Sequence, residues 1–198
     1  MALREELESQ GEWLFRHRSH LPMLLLLILL PSLWSAAALR FPFGELGATA
    51  YRGLCVAAAF AGLWMRCLTV GYVPGSTSGR NTHGQVADSL NTDCVYSVVR
   101  HPLYFGNTLT YVAICAYPGV WWACLFPALI LAFYYERIML REEAFLREKF
   151  GPAYLEWAEK TPAFFPRFGR WRGGDLSFCA RTVLRREYSG FFAIIVLF

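Results

Sequence analysis

The sequence predicts an all-α fold: a polytopic membrane helical bundle of four to five transmembrane helices, including a tight helical hairpin, with a charged helix on the cytoplasmic side. Three observations predict it. Hydrophobic residues make up 56% of the 198 and aromatic residues 17%, against 17% charged, which is apolar for a soluble domain of this size. The apolar residues gather into runs that approach the roughly 20 a helix needs to cross a bilayer. Most charges and turn formers collect between those runs.

Composition also excludes. The net charge of +4 comes without a long basic run, so nucleic acid is not an expected partner. No two of the 6 cysteines are spaced as C-x-x-C. They read as buried thiols, with neither a disulfide scaffold nor a metal site expected. One integral membrane domain is expected over residues 1–198. Its N-terminal helices occupy 1–74, a catalytic core 75–168, and a basic segment with the start of a last helix 169–198.

Residues 1–20 carry Arg4, Glu5, Glu6, Glu8, Glu12, Arg16 and Arg18 and read as an amphipathic, interfacial lead-in. Residues 21–39 are uncharged. They start too late and run too long for a cleaved signal peptide, so a retained helix kinked at Pro31 is expected. The second run, 47–73, would measure about 40 Å as a helix at about 1.5 Å per residue, more than the hydrocarbon core. Arg52 and Arg66 can therefore snorkel to opposite interfaces. In the sharper reading Arg66 faces a polar cavity and holds an anionic group, since intramembrane charges are functional candidates. Residues 75–93 form a polar loop in which Arg80 and His83 are candidate substrate contacts.

Two apolar arms follow, 103–117 and 120–135, separated only by Pro118 and Gly119. That spacing predicts the tight hairpin. From Glu136 to Lys160 the pattern is charged and helical, broken at Gly151 and Pro152. Phe164, Phe165 and Phe168 return towards the membrane. Residues 169–188 are basic, and the apolar run 190–198 is too short to span, so the chain is expected to stop partway into a fifth helix. With four spans, the positive segments all fall on one side, which the positive-inside rule assigns to the cytoplasm.

Residues 96–107 combine a cation, a titratable imidazole, tyrosines and a close-approach glycine: Tyr96, Arg100, His101, Pro102, Leu103, Tyr104 and Gly106. Proline suits the first turn of a helix, where its missing N–H has no partner to lose. Arg100 and His101 should then stand where a membrane helix begins, beside free backbone N–H groups that favour an anion. The hairpin returns Arg137, Arg141, Glu142 and Glu143 to the same end. Glu142 and Glu143 adjoin, so one is expected to face solvent and the other inward. Acids and arginines together can hold a zwitterion, with Glu on the ammonium and Arg on the carboxylate.

The run Tyr96-Ser97-Val98-Val99-Arg100-His101-Pro102-Leu103-Tyr104-Phe105-Gly106 is followed by Arg141-Glu142-Glu143, Leu146, Phe150-Gly151, Tyr154 and Pro162. Over residues 94–168 this resembles the isoprenylcysteine carboxyl methyltransferase and phospholipid methyltransferase family of integral membrane enzymes. The chain has Cys94-Val95 before the tyrosine where that family commonly has glycine. The glycine-rich signature of soluble methyltransferases is absent, as the resemblance implies. It further implies S-adenosylmethionine as cofactor at the cytoplasmic interface, with lipid entering laterally between helices. Tyr96, His101, Pro102, Leu103, Tyr104 and Gly106 would surround the cofactor, Glu142 or Glu143 would face its ammonium, and Tyr154 would close the pocket. Arg100, Arg141 and Glu142 are the expected catalytic residues, and Arg66, Arg80 and His83 the expected substrate contacts.

The implied partner is a membrane lipid or a lipidated acceptor. A prenylcysteine carboxylate, a phospholipid amine and a lipid phosphate all stay open, with a lipid favoured over a prenylated protein tail. Two other readings compete. One is a sterol-reductase-like enzyme using NADPH, a class that usually has many more spans. The other is a non-catalytic membrane scaffold whose charged helix binds a partner.

Overall fold

The computed structural model describes residues 3–18, 20–36, 44–72, 87–174 and 177–198. Among these the chain is helical, with a single antiparallel bridge between Cys94 and Arg172 in place of any sheet. Helix α1 (Leu3–Arg16) is followed by a 3-10 stretch, Leu21–Ile28, that runs into α2 (Leu29–Ala36). Then come α3 (Gly44–Gly71), α4 (Pro102–Ala116), α5 (Trp121–Phe150), α6 (Pro152–Lys160) and α7 (Ala180–Leu197). The long helices pack in the order α1, α5, α4, α3, α7, each against the next.

The hairpin forms where Pro118 and Gly119 predict it. Gly119 takes φ +86°, a left-handed conformation open to glycine, and donates its N–H to the Ala116 carbonyl at 2.8 Å. The returning arm does not stop where its apolar character ends. Helix α5 continues unbroken through Glu136 to Phe150, so its first half faces the bundle and its second carries the acids of the site. Gly151, at φ +52°, ends it, and Pro152 starts α6 at the first-turn position.

Of the four to five spans expected, two helices among the described residues are long and apolar enough to cross a membrane, α3 and α5. A third is added if the segments on either side of an 82° bend, Glu5–Arg16 and Leu21–Ser35, count as one broken span. The difference has local causes. Helix α4 has 15 residues, about 22 Å at the helical rise, and falls short of the hydrocarbon thickness. Helix α7 has 18 residues, but its first half carries Arg181, Arg185, Arg186 and Glu187.

Residues 169–188 and 190–198 are not two features. From Ala180 onward they form one helix on the flank of α3, with Phe178 against Gly71 and the Cys179 N–H on the Gly71 carbonyl at 3.0 Å. The lead-in is likewise more than an interfacial strip. Gly11 lets α1 lie so close to α5 that an added Cβ would stand 2.2 Å from the Arg137 carbonyl oxygen. Phe15 thereby joins a core with Leu25, Tyr104, Leu131, Tyr135 and Ile138.

Candidate active site

The site is built where the start of α4 meets the charged half of α5. Pro102 begins α4 and His101 is its N-cap residue, without a side-chain cap bond. The backbone N–H groups of Arg100 and His101 donate instead to the Pro162 and Ala163 carbonyls, at 2.9 and 3.1 Å. Arg167 N–H donates to Val98 O at 3.0 Å, and the Trp157 indole N–H to Tyr96 O at 3.1 Å. The segment after α6 thus straps the Arg-His-Pro turn in place, which accounts for Pro162 and the aromatic return. Cys94, in the Cys94-Val95 pair before Tyr96, takes φ +53°, a strained conformation for a residue with a side chain. It is buried, bonded through its N–H to Arg172 O at 2.8 Å.

His101 is buried at 6% exposure between both glutamates, with Nδ1 3.3 Å from Glu142 Oε2 and Nε2 3.1 Å from Glu143 Oε1. Glu142 also accepts the Tyr104 hydroxyl at 2.6 Å, and Glu143 pairs with Arg100 at 3.0 Å. Both acids therefore face inward, where one was expected to face solvent. The Tyr104 ring stacks between His101, at 5.8 Å, and Tyr135, at 4.8 Å. Arg100 donates a further bond to Ala158 O at 2.8 Å, yet its Nε–H is buried without a partner. The buried Tyr154 hydroxyl also lacks a partner in hydrogen-bond geometry. Burial and then the Glu143 charge push its pKa up, so it remains a protonated donor. Burial and the Glu142 charge act on Tyr96 in the same direction.

A neutral imidazole has one N–H and could satisfy only one of the two carboxylates; the imidazolium satisfies both. Burial acts to lower the His101 pKa, but the hydrogen bonds and charges of Glu142 and Glu143 outweigh it, and the net shift is upward from the ordinary 6.5. The folded state then binds the proton more tightly than the unfolded chain. This contribution to stability is full below about pH 6.5 and is lost as pH rises through the raised value. The melting temperature of the purified protein should fall with pH above neutrality. His101→Gln should flatten that slope, whose ceiling is about 1.4 kcal/mol per pH unit for one proton; equal slopes would remove His101 as the group responsible.

Other expected residues lie elsewhere. Arg141 and Arg137 turn from His101 towards α1, Arg141 Nε 3.7 Å from Glu12 and Arg137 Nε donating to Gln10 at 3.0 Å. Pro102 is buried beside His101, and Leu103 half-buried. Gly106 stands at the α4–α3 crossing, where an added Cβ would meet Gly62 O at 2.7 Å. Arg66 is clamped in parallel by Glu187 of α7, Nε on Oε2 and Nη2 on Oε1, both at 2.8 Å, while its Nη1 donates to Asn107 Oδ1. Arg80 and His83 lie outside the described residues. Among the described residues, no group of three or more His, Cys, Asp and Glu is arranged to hold a metal ion. Sequence reasoning missed Glu187 and Asn107. A signal for Glu187 existed: it is the single acid in residues 177–198, set where the basic part meets the apolar part.

The model of the phospholipid methyltransferase family matches residues 55–153, half of the chain. The chain belongs to the phospholipid methyltransferase family. Its matched region contains Arg66, the whole Arg-His-Pro turn and both glutamates, while α1 and α7 lie outside it. Among curated relatives, the chain is 37% identical over 90 residues to the cobalt-zinc-cadmium resistance protein CzcN of Cupriavidus metallidurans, covering 46% of this chain and 41% of the relative. It is 34% identical over 89 residues to the nickel-cobalt-cadmium resistance protein NccN of Alcaligenes xylosoxydans xylosoxydans, covering 45% and 41%. It is 35% identical over 81 residues to protein-S-isoprenylcysteine O-methyltransferase B of Arabidopsis thaliana, covering 39% of each. The chain thus spans less than half the length of each of these relatives. No solved structure matches.

Proposed function

We propose that this chain is an S-adenosylmethionine-dependent methyltransferase acting at the membrane interface on a lipid or lipidated acceptor through its phosphate, amine or carboxylate. The observation that carries the reading is the pair Glu142 and Glu143, both turned onto His101 beside two buried donors without partners, Arg100 Nε–H and the Tyr154 hydroxyl. That set suits a ligand with cationic and anionic groups together. The glutamates complement an ammonium or a sulfonium, and Arg100 with Tyr154 a carboxylate. When bound, S-adenosylmethionine supplies an electrophilic methyl on a sulfonium.

The chain's own residues then position and shield. His101, protonated, keeps two adjacent carboxylates from repelling one another. Tyr104 fixes Glu142 by its hydrogen bond and fills the wall by stacking on Tyr135. The strap at 162–167 holds the Arg-His-Pro turn rigid. In-line displacement gains most of its rate from such positioning. The site stands at the membrane-interface end of the bundle, where a water-borne cofactor and a lipid can meet. The positive segments favour the cytoplasmic side for that end.

Purified protein supplied with methyl-labelled S-adenosylmethionine and a total membrane lipid extract should pass label to the organic phase. Cofactor binding without lipid label would redirect the acceptor to prenylated protein tails. Failure to bind the cofactor, with NADPH retained instead, would sink the methyltransferase reading.

A further inference from the structure

A second polar cluster lies inside the bundle, one to two helical turns along α4 from His101. Arg66 of α3, Asn107 of α4 and Glu187 of α7 interlock there. The ring of Tyr135 of α5 separates this cluster from the first site, since it stacks on Tyr104, the tyrosine bonded to Glu142. Tyr135 is 1% exposed and its hydroxyl has no hydrogen-bond partner. The Tyr135 hydroxyl lies beside Asn107, with Arg66 near both it and Tyr111. Leu63, part of an apolar cluster with Ala59 and Ile194, borders the polar cluster: a Cβ added at Gly190 would meet both Leu63 at 3.4 Å and Glu187 Oε2 at 3.7 Å.

We propose that this cluster is a binding subsite for a membrane-borne oxyanion, a phosphate or carboxylate on a lipid, and that Glu187 sets its charge. A guanidinium has five N–H donors, and Arg66 commits three of them to Glu187 and Asn107. Two N–H groups remain, and the side chain keeps 26% of its surface open while Glu187 is closed in at 6%. These two N–H groups and the Tyr135 hydroxyl, which has no acceptor in hydrogen-bond geometry, are three donors that an oxyanion can satisfy and an ammonium cannot. Glu187 cancels the Arg66 charge, so the subsite takes the oxyanion by hydrogen bonding and releases it readily. Without that carboxylate it would hold the oxyanion as a full counter-ion. Helix α7 lies outside the region that matches the family, so the charge control is supplied by a part of this chain beyond the matched core.

As a statement about the methyl acceptor, the proposal rests on the methyltransferase reading; as a statement about binding it does not. Full-length protein in neutral detergent, titrated with dioleoyl phosphatidic acid and separately with oleate, and followed by native mass spectrometry, tests it without methyl transfer. Phosphatidic acid retention would assign a phosphate, oleate retention a carboxylate. Glu187→Gln keeps the shape and removes the charge, and should tighten binding by about 10-fold or more. Tyr135→Phe should weaken it several-fold. The double variant R66M/E187M replaces the pair by apolar groups of similar volume, a change that buried ion pairs tolerate, and should abolish binding with the melting temperature maintained. Retention undiminished in the double variant would assign the lipid to the exposed basic face of α7 and overturn the proposal, as would an unchanged affinity in Glu187→Gln. Cofactor binding measured on the same samples separates the two readings, because either can fail while the other stands.

Discussion

Replacing His101 with alanine should weaken S-adenosylmethionine binding by about 100-fold or more. Among the described residues, His101 is the one side chain paired with both Glu142 and Glu143. Each charge-assisted bond contributes about 1.5–3 kcal/mol, and a factor of ten in affinity corresponds to about 1.4 kcal/mol. Two such bonds are together worth about 3–6 kcal/mol, and 100-fold corresponds to about 2.8 kcal/mol, so their loss covers the stated effect where little water enters the gap. Arg100 would still pair with Glu143, but Glu142 would keep only the Tyr104 hydroxyl, and the two carboxylates would repel. Titration calorimetry on detergent-purified protein measures the result. The double variant H101A/E143Q relieves the repulsion and should recover melting temperature without recovering cofactor affinity. Affinity within about threefold of wild type in His101→Ala would place the cofactor elsewhere.

The turn around His101 could be read from the sequence because its determinants are local. Pro102 marks a helix start, Pro118 and Gly119 mark a hairpin, and the hairpin's length returns Glu142 and Glu143 to the same end. Once α5 is continuous, the helical period delivers both acids to one neighbour. The Arg66–Glu187 pair could not be read in that way. Its partners are 121 residues apart, and the close packing of α7 on α3 that joins them leaves no mark in composition. The docking of α1 on α5 was hidden for a related reason. It depends on Gly11, a residue that in isolation signals a weak helix rather than a contact. Arg137 and Arg141 were expected near the site because the hairpin returns them to the same end as Glu142. Their positions around the helix turn them to α1, where Gln10 and Glu12 receive them.

The crossing of α3 and α4 should be a packing point to which the site is especially sensitive. A Cβ added at Gly62 would stand 2.5 Å from the Gly106 carbonyl oxygen and 2.5 Å from Thr110 Oγ1, and one added at Gly106 would stand 2.7 Å from the Gly62 oxygen. Backbone meets backbone in both directions, so no flexible side chain can give way. Even alanine must push the helices apart, by about 1 Å if ordinary contact is to be restored, at a cost of about 1–3 kcal/mol. Small residues at such crossings are what let membrane helices approach. Function should fall further than stability. Helix α4 carries His101 and Tyr104 while Glu142 and Glu143 belong to α5, so a shift of α4 moves one half of the site against the other. A misplacement of about 1 Å can lower turnover by about 100-fold. Gly53, also on α3, is the internal control, since an added Cβ there meets nothing within 4 Å. Gly53→Ala should be neutral or stabilising by up to about 1 kcal/mol, through helix propensity alone. Melting temperatures and turnover for Gly62→Ala, Gly106→Ala and Gly53→Ala decide the matter: if all three behave alike, the crossing does not position the site.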